Sequence, residues 1–506
     1  MKSKLIAIAF ILAIVANNNY LMAQADSAAA AKPLSYTTKH SIKIDGKVIS
    51  YTATVGTLIQ KNEKDEPVAS FGYTAYIKDG ETDAGKRPIT FSYNGGPGSS
   101  SIWLRLGVMG PRRIAVNDPK DNGPAPYKLE DNNYCMLDVS DIVMMDPVGT
   151  GLSRGAGKSK NSDFWGVEPD IKSVSEFIKN YITENERWNS PKFLLGESYG
   201  TFRSAGVADY LQDRLGISVN GIVLVSSVLD IRTLAFQPGD DLPYIVNFPT
   251  YAATSWYHNK VPNKPADLQT FLKDVRAFAS GDYAAALIKG DALSADEREK
   301  VLNELVAFTG LSKDYWSNAN LRVNQPQFSE ELLRTTHEEV GRLDSRYKGI
   351  SQDPLSEYAF NDPQSYAISP AFTAAFMNYY TTELKVPKDK TYNTSAYSLP
   401  DFNWDWKHPR SNGFFGSAST PNTGPDLVNA MSSNPHLKVL VLNGIYDLAT
   451  PFYGTEYTFD HLGLDKKIKS NITMKYYEAG HMMYIHNPSA AAFKKDVVDF
   501  INASLK

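Results

Sequence analysis

The segment Gly196-Glu197-Ser198-Tyr199-Gly200 follows an apolar run at 192–195 and precedes a helical pattern at 202–211. A chain that leaves a buried strand and enters a helix within so few residues must turn sharply. Glycines at both flanks are the residues that let two backbones approach that closely. The central serine is then held on a strained backbone and projected outward, with the helix N-terminus and its partial positive charge directed at it. This one turn commits the surrounding chain to a layered strand–helix architecture and places a hydroxyl at a sheet edge.

The rest of the chain agrees with that architecture. Short apolar runs bounded by Gly, Pro or Asp occur at 88–93, 141–145, 192–195 and 221–225, and again at 438–442 and 473–477. Nearly continuous apolar runs of this length suit strands buried on both faces of a mainly parallel sheet. Ile171, Val174, Ile178, Tyr181 and Ile182 keep helical spacing between two of them, as a crossover helix requires. Residues 51–59 and 71–77 predict early antiparallel strands, and 490–501 a closing amphipathic helix. From 231 to 430 the signals become helical. Ser294 and Glu297 form a capping box, and Ser369 with Pro370 reads as a helix start. The expected fold class is α/β, a mainly parallel central sheet with a mostly helical cap insertion. The expected parts are a core at 26–230, the insertion at 231–430, and a second core part at 431–506.

Lys2 and Lys4 precede an apolar stretch at 5–15, then Asn17–Asn19 and Ala23-Gln24-Ala25. This order predicts a cleavable signal peptide over 1–25, with an apolar run too short to span a membrane. The mature protein is expected to be exported, periplasmic or secreted, with no stable membrane anchor. A formal charge of −4 provides no field for nucleic acid, which is not an expected partner. Cys135 is the only cysteine, so no intramolecular disulfide can form, and it reads as a small buried apolar residue.

A serine hydroxyl needs a base, and the base needs a carboxylate to orient it. Gly-x-Ser-x-Gly between strand and helix is the nucleophile-elbow pattern of the α/β-hydrolase fold, in which acid and then histidine follow the serine along the chain. His481 stands just after the last strand, in Glu478-Ala479-Gly480-His481-Met482. His486 is its nearest rival and lies nearer the final helix. Asp447 follows the strand at 438–442, so the predicted triad is Ser198, Asp447 and His481. The glycine-rich Asn94-Gly95-Gly96-Pro97-Gly98-Ser99-Ser100 follows the strand at 88–93. Its turn can offer backbone N–H groups to an oxyanion, and the expected donors are the amides of Gly96 and Tyr199. No phosphate-loop lysine, dinucleotide glycine spacing or second zinc histidine accompanies these motifs, so no metal or cofactor is expected.

Together with Asp146-Pro147-Val148-Gly149-Thr150-Gly151, these blocks resemble the serine carboxypeptidase family, peptidase family S10. The resemblance implies an acyl-enzyme on Ser198 and release of C-terminal residues from peptides with a free C-terminus, favoured at acidic pH. It also implies that Asn94, Gly95 and Glu197 bind the substrate's terminal carboxylate. Glu197 can do so only when protonated, since an ionised neighbour would repel the substrate. The sequence departs from the family at Ser92, at Ser99, and at Val108, where a second carboxylate-binding glutamate would align. Arg105, Arg112 and Arg113 are candidates for a substituting cation. Two further readings stand beside this one: an esterase or acyltransferase on the same triad, and an inactive binding protein that kept the fold.

Overall fold

The computed structural model describes residues 32–409 and 420–506. The signal expected over 1–25 lies outside the described residues. Among them, no helix is long and apolar enough to cross a membrane.

One large sheet organises the chain. Its strands are β1 (Ser35–Ile44), β2 (Lys47–Lys61), β3 (Pro67–Lys78), β4 (Ile89–Tyr93), β5 (Asp141–Met145), β6 (Lys192–Glu197), β7 (Gly221–Val225), β8 (Lys438–Gly444) and β9 (Ile472–Tyr477). They lie in the order β1-β2-β3-β5-β4-β6-β7-β8-β9, and the two-residue strand Arg154–Gly155 pairs with β3. The first three strands and the β3–β5 pair are antiparallel, and every pair from β5 through β9 is parallel. Chain order therefore reverses between β4 and β5, and the sites of open α/β sheets lie at the carboxyl ends of strands near such reversals. This is an α/β-hydrolase fold.

Every residue of β4, β5, β6 and β7 is buried, because helices cover both sheet faces. On one face lie α1 (Val167–Glu184) and α2 (Tyr199–Leu215). The predicted stripe of Ile171, Val174, Ile178, Tyr181 and Ile182 is the buried side of α1. At roughly 1.5–3 kcal/mol per fully buried aliphatic or aromatic side chain, that stripe alone anchors the helix. β1 carried no prediction. It is an edge strand whose exposed residues alternate with partly buried ones and, at Ile42 and Ile44 only, with buried ones, and so mixed a strand has no apolar run to show.

Between β7 and β8 the chain forms α3 (Leu242–Tyr257), α4 (Leu268–Phe278), α5 (Ala295–Thr309), a short hairpin (Glu338–Val340 with Lys348–Ile350), α6 (Pro363–Thr382) and α7 (Gly424–Ser433). The capping box at Ser294 and Glu297 starts α5 as expected. α6 begins earlier than Ser369 and Pro370 suggested. Asp362 caps it, with its side chain accepting from the Gln364 amide, and Pro363 stands at the first turn, leaving Pro370 inside the helix. The helix continues past that proline because Phe372, Phe376, Tyr379 and Tyr380 bury its second half.

Two packing regimes hold this segment. α3, α4 and α5 build a core of their own, with Phe248, Phe271, Leu305 and Trp316, and that core includes Ile445, Tyr446, Leu448 and Phe452 just beyond β8. α6 instead packs into the core on one face of the sheet, while α7 packs beside α2 on the other. α8 (Asn487–Ser504) ends the chain against the first of these faces.

Candidate active site

β6 ends at Glu197 and α2 begins at Tyr199, which leaves Ser198 alone at the turn with φ 60° and ψ −130°. Such a conformation costs a non-glycine residue on the order of 1–3 kcal/mol and persists only where neighbours impose it. Here the Ser198 amide donates to Val225 at 2.9 Å, and its carbonyl accepts from Thr201 at 2.8 Å. A Cβ on Gly196 would stand 2.2 Å from the Gly200 carbonyl oxygen, so no side chain fits there. The glycine loop after β4 presses on the same turn, where a Cβ on Gly95 would lie 2.5 Å from the Tyr199 nitrogen. The Gly95–Gly96 backbone and the N-terminus of α2 are thereby brought into contact.

His481 follows β9 and Asp447 follows β8, so both emerge at the sheet edge that carries Ser198. His481 Nδ1 donates to Asp447 Oδ2 at 2.8 Å. Asp447 is fully buried, and its other oxygen accepts the amides of Ala449 and Thr450 at 2.8 and 2.9 Å. The Thr450 hydroxyl donates to Asp447 Oδ2 at 2.6 Å. Burial disfavours the imidazolium, but the charge of Asp447 and its hydrogen bond outweigh burial, and the His481 pKa lies above its ordinary value. With Nδ1 committed, Nε2 is the nitrogen left for chemistry. His486, the rival histidine, instead bonds Ser489 at 2.8 Å at the start of α8.

Ser198, His481, Asn94, Gly95, Gly96 and Glu197 line one cavity of about 230 Å³. A roomier groove of about 710 Å³ beside α1 holds none of them, so size does not locate the site. Glu197 is 4% exposed. Asn94 Nδ2 donates to its Oε1 at 2.8 Å, and Asn94 Oδ1 accepts the Leu104 amide at 3.0 Å, which fixes the direction of the side-chain amide. Burial raises the Glu197 carboxyl to about 7, opposed by the His481 charge and by its polar neighbours Tyr484 and Asn94. Tyr484 lies beside this carboxyl, yet its hydroxyl and Glu197 Oε2 each lack a well-formed hydrogen bond. Oε2 is therefore the oxygen with bonding capacity to spare.

Further ion pairs brace the loops. Buried Arg203 on α2 binds Asp170 of α1 at 2.7 Å and donates to the Asn94 carbonyl at 2.8 Å. Asp146 accepts the Ser101 amide at 2.9 Å and the Tyr392 hydroxyl at 3.0 Å, so the motif at 146–151 steadies the end of the glycine loop. Val108 is completely buried in the turn Arg105–Met109. None of the three candidate arginines lines the cavity. Arg105 is buried 3.6 Å from Asp146, Arg112 pairs with Asp131 and Glu383, and Arg113 bonds Asn487. Sequence reasoning missed the cation that does line it, Arg342, because no motif surrounds it. It also missed Tyr484, whose ring packs where a side chain on Gly107 would lie. Cys135 is buried, and burial pushes its thiol up to about 12, which removes it as a nucleophile.

Residues 70–213, which span the glycine loop, the motif at 146–151 and the serine turn, match the family described as serine carboxypeptidase. That match covers this segment and not the whole chain. It is 24% identical to a carboxypeptidase Y homolog of Arthroderma benhamiae over 259 residues, 50% of this chain and 46% of that protein. It is 33% identical to serine carboxypeptidase-like 20 of Arabidopsis thaliana over 129 residues, 24% of each chain. The chain thus spans less than half the length of these relatives. The crystal structure of Kex1, a prohormone-processing carboxypeptidase from Saccharomyces cerevisiae, aligns with a TM-score of 0.51 at 16% identity, covering 90% of this chain and 92% of that one. That likeness concerns the fold.

Proposed function

We propose that this protein is an exported serine carboxypeptidase that removes C-terminal residues from peptides through an acyl-enzyme on Ser198. The observation that carries the reading is the grouping of the oriented Asp447–His481 pair, the strained Ser198 and a protonatable Glu197 around one cavity. Ser198 Oγ attacks the scissile carbonyl while His481 Nε2 takes its proton, and Asp447 stabilises the imidazolium through Nδ1. The Gly96 and Tyr199 amides receive the oxyanion. As the C–N bond breaks, His481 returns the proton to the departing amine. Water, deprotonated by the same histidine, then frees the acyl group as an acid. Protonated Glu197, steadied by Asn94 and beside Gly95, donates from its free oxygen to the substrate's terminal carboxylate.

Residues 231–430, read as the cap, contribute Arg342, Leu343, Ser365, Ile368 and Ser369 to the cavity wall. They would set side-chain preference. An esterase or acyltransferase reading draws on one feature: buried Val108 leaves the carboxylate-binding set without its second acid. Mass spectrometry of a peptide library after digestion tests the proposal. Stepwise C-terminal trimming by the wild type, lost in Ser198→Ala, is the expected result. Equal cleavage of peptide amides and free acids favours the esterase reading, and absence of fluorophosphonate labelling at Ser198 removes both.

A further inference from the structure

Arg342 lies in the turn of the Glu338–Val340/Lys348–Ile350 hairpin and faces the same cavity as Ser198, His481 and Glu197. Its backbone is fastened to both catalytic loops. The Leu448 amide, next to Asp447, donates to the Arg342 carbonyl at 3.1 Å, and the His481 amide donates to the Leu343 carbonyl at 2.7 Å. Two carboxylates tighten the attachment. Asp344 accepts the Gly480 amide at 2.9 Å, and Asp362 accepts the Leu343 amide at 3.2 Å. The hairpin turn is therefore built into the site.

The side chain is treated differently from its backbone. Among the described residues no hydrogen bond or ion pair takes up its guanidinium, which is exposed at the cavity. The nearby Asp362 feels the Arg342 charge but makes its hydrogen bonds to the Leu343 and Gln364 amides and the Ser365 hydroxyl. Ser365 and Ser369, one turn apart on α6, line the wall together with Arg342. The other polar group with unused capacity is buried Glu197 Oε2. A planar cation with five donors and a carboxyl able to donate one proton suit the same ligand group, a carboxylate. Val108, where the resemblance would place a second acid, is buried and does not line the cavity, whose wall carries Arg342 instead.

We propose that Arg342 is a carboxylate-binding residue of this site, pairing with the substrate carboxylate across the cavity from Glu197. This rests on the carboxypeptidase reading and deepens it. Two carboxylates could be the ligand: the terminal one, or the side chain of an acidic C-terminal residue. The chemistry is shared, and substrates separate the sources. Rates would be measured for N-blocked dipeptides ending in leucine, in leucine amide and in glutamate, with wild type, Arg342→Gln and Arg342→Lys.

If the terminal carboxylate is the ligand, Arg342→Gln lowers kcat/KM about ten- to hundred-fold on both free acids, mainly through KM, and leaves the amide unchanged. If the acidic side chain is the ligand, the loss is confined to the glutamate substrate. Arg342→Lys recovers part of either loss, because charge survives without the planar fork. Equal losses on acid and amide, or no loss on either acid, overturn the proposal. Equilibrium binding of the leucine free acid and the glutamate free acid to Ser198→Ala, with and without Arg342→Gln, gives the same answer without turnover. Fluorophosphonate labelling of Arg342→Gln at the wild-type rate confirms an intact site. A wild type that ignores the free carboxylate while still labelling sinks the carboxypeptidase reading itself, a separate result.

Discussion

Replacing Glu197 with glutamine removes a titrating proton and keeps a donor in nearly the same place. Oε1 already accepts from Asn94 at 2.8 Å, and a glutamine carbonyl can do the same. The unpartnered Oε2 then becomes Nε2, which donates at every pH. In the wild type the donor form exists only while the carboxyl is protonated, and burial sets that pKa at about 7. About a tenth of molecules would carry the proton at pH 8 and about a hundredth at pH 9. Hydrolysis of free-acid peptides should therefore fall roughly tenfold per pH unit above 7. In Glu197→Gln that alkaline fall should disappear up to pH 9.

The acidic side of the profile should move far less. His481 must be neutral to accept a proton, and the charge of Glu197 helps to raise its pKa behind burial and Asp447. Because the two groups interact, the wild-type limbs belong to the pair and not to either residue. Below pH 7 Glu197 is already protonated and uncharged, so glutamine should leave the acid limb close to the wild type's and confine the change to the alkaline side. Stability gives an independent check. The folded carboxyl titrates above the unfolded value, so its neutral form supports the fold fully below 4.5, and that support is lost as pH rises to about 7. The total is roughly 3 kcal/mol, at 1.36 kcal/mol per unit. Urea unfolding at pH 8 should show Glu197→Gln more stable than wild type, with the gap closing near pH 4.5. An alkaline limb in Glu197→Gln identical to the wild type's would refute the assignment of that limb to Glu197.

Asp447→Asn should leave the fold intact and lower kcat on the order of 10⁴-fold, because an amide holds the wrong imidazole tautomer; stopped assays with fluorophosphonate labelling rates would show it. Gly196→Ala forces a methyl to 2.2 Å from the Gly200 carbonyl and 2.6 Å from the Ser204 hydroxyl. It should cost about 1–3 kcal/mol or more in chemical denaturation and abolish labelling at Ser198. His408 is held between Glu168 at 2.5 Å and Asp426 at 2.8 Å. Burial opposes its charge, but those two partners raise it to about 9. Its stabilising effect is thus complete below 6.5 and lost as pH rises through about 9, so His408→Gln should lower Tm clearly at pH 6 and little at pH 9.5. Glu168 is half exposed, which limits the effect to about 1–2 kcal/mol.

What could be read in advance, and what could not, divides along a physical line. Strands β4 to β9 and helices α1 and α2 are covered on their apolar sides, and burial writes itself as a hydrophobic period. The serine turn was legible for a steric reason: only glycine fits at 196, and Gly95 must clear the Tyr199 nitrogen. Asp447 and His481 were legible by their place after β8 and β9. β1 and the Glu338–Val340 hairpin strand were not, since short or edge strands bury too little to leave a period. Arg342 was silent for another reason. Its place depends on backbone hydrogen bonds from Leu448 and, through Leu343, from His481, and backbone groups leave no trace in residue identity.

The same contacts connect the helical segment between β7 and β8 to the residues of the cavity. The core built by α3, α4 and α5 closes over Ile445, Tyr446 and Leu448, the residues around Asp447. The hairpin turn that carries Arg342 is tied to those same loops. A change in the packing of this segment therefore reaches Asp447 and the cavity wall together. Loosening it, for instance with Trp316→Ala at a fully buried position, removes contacts worth about 3–5 kcal/mol. The loss should appear first in the loops that hold Asp447 and Arg342. Substrate preference and turnover would then change in concert, although residue 316 is not among the residues lining the cavity.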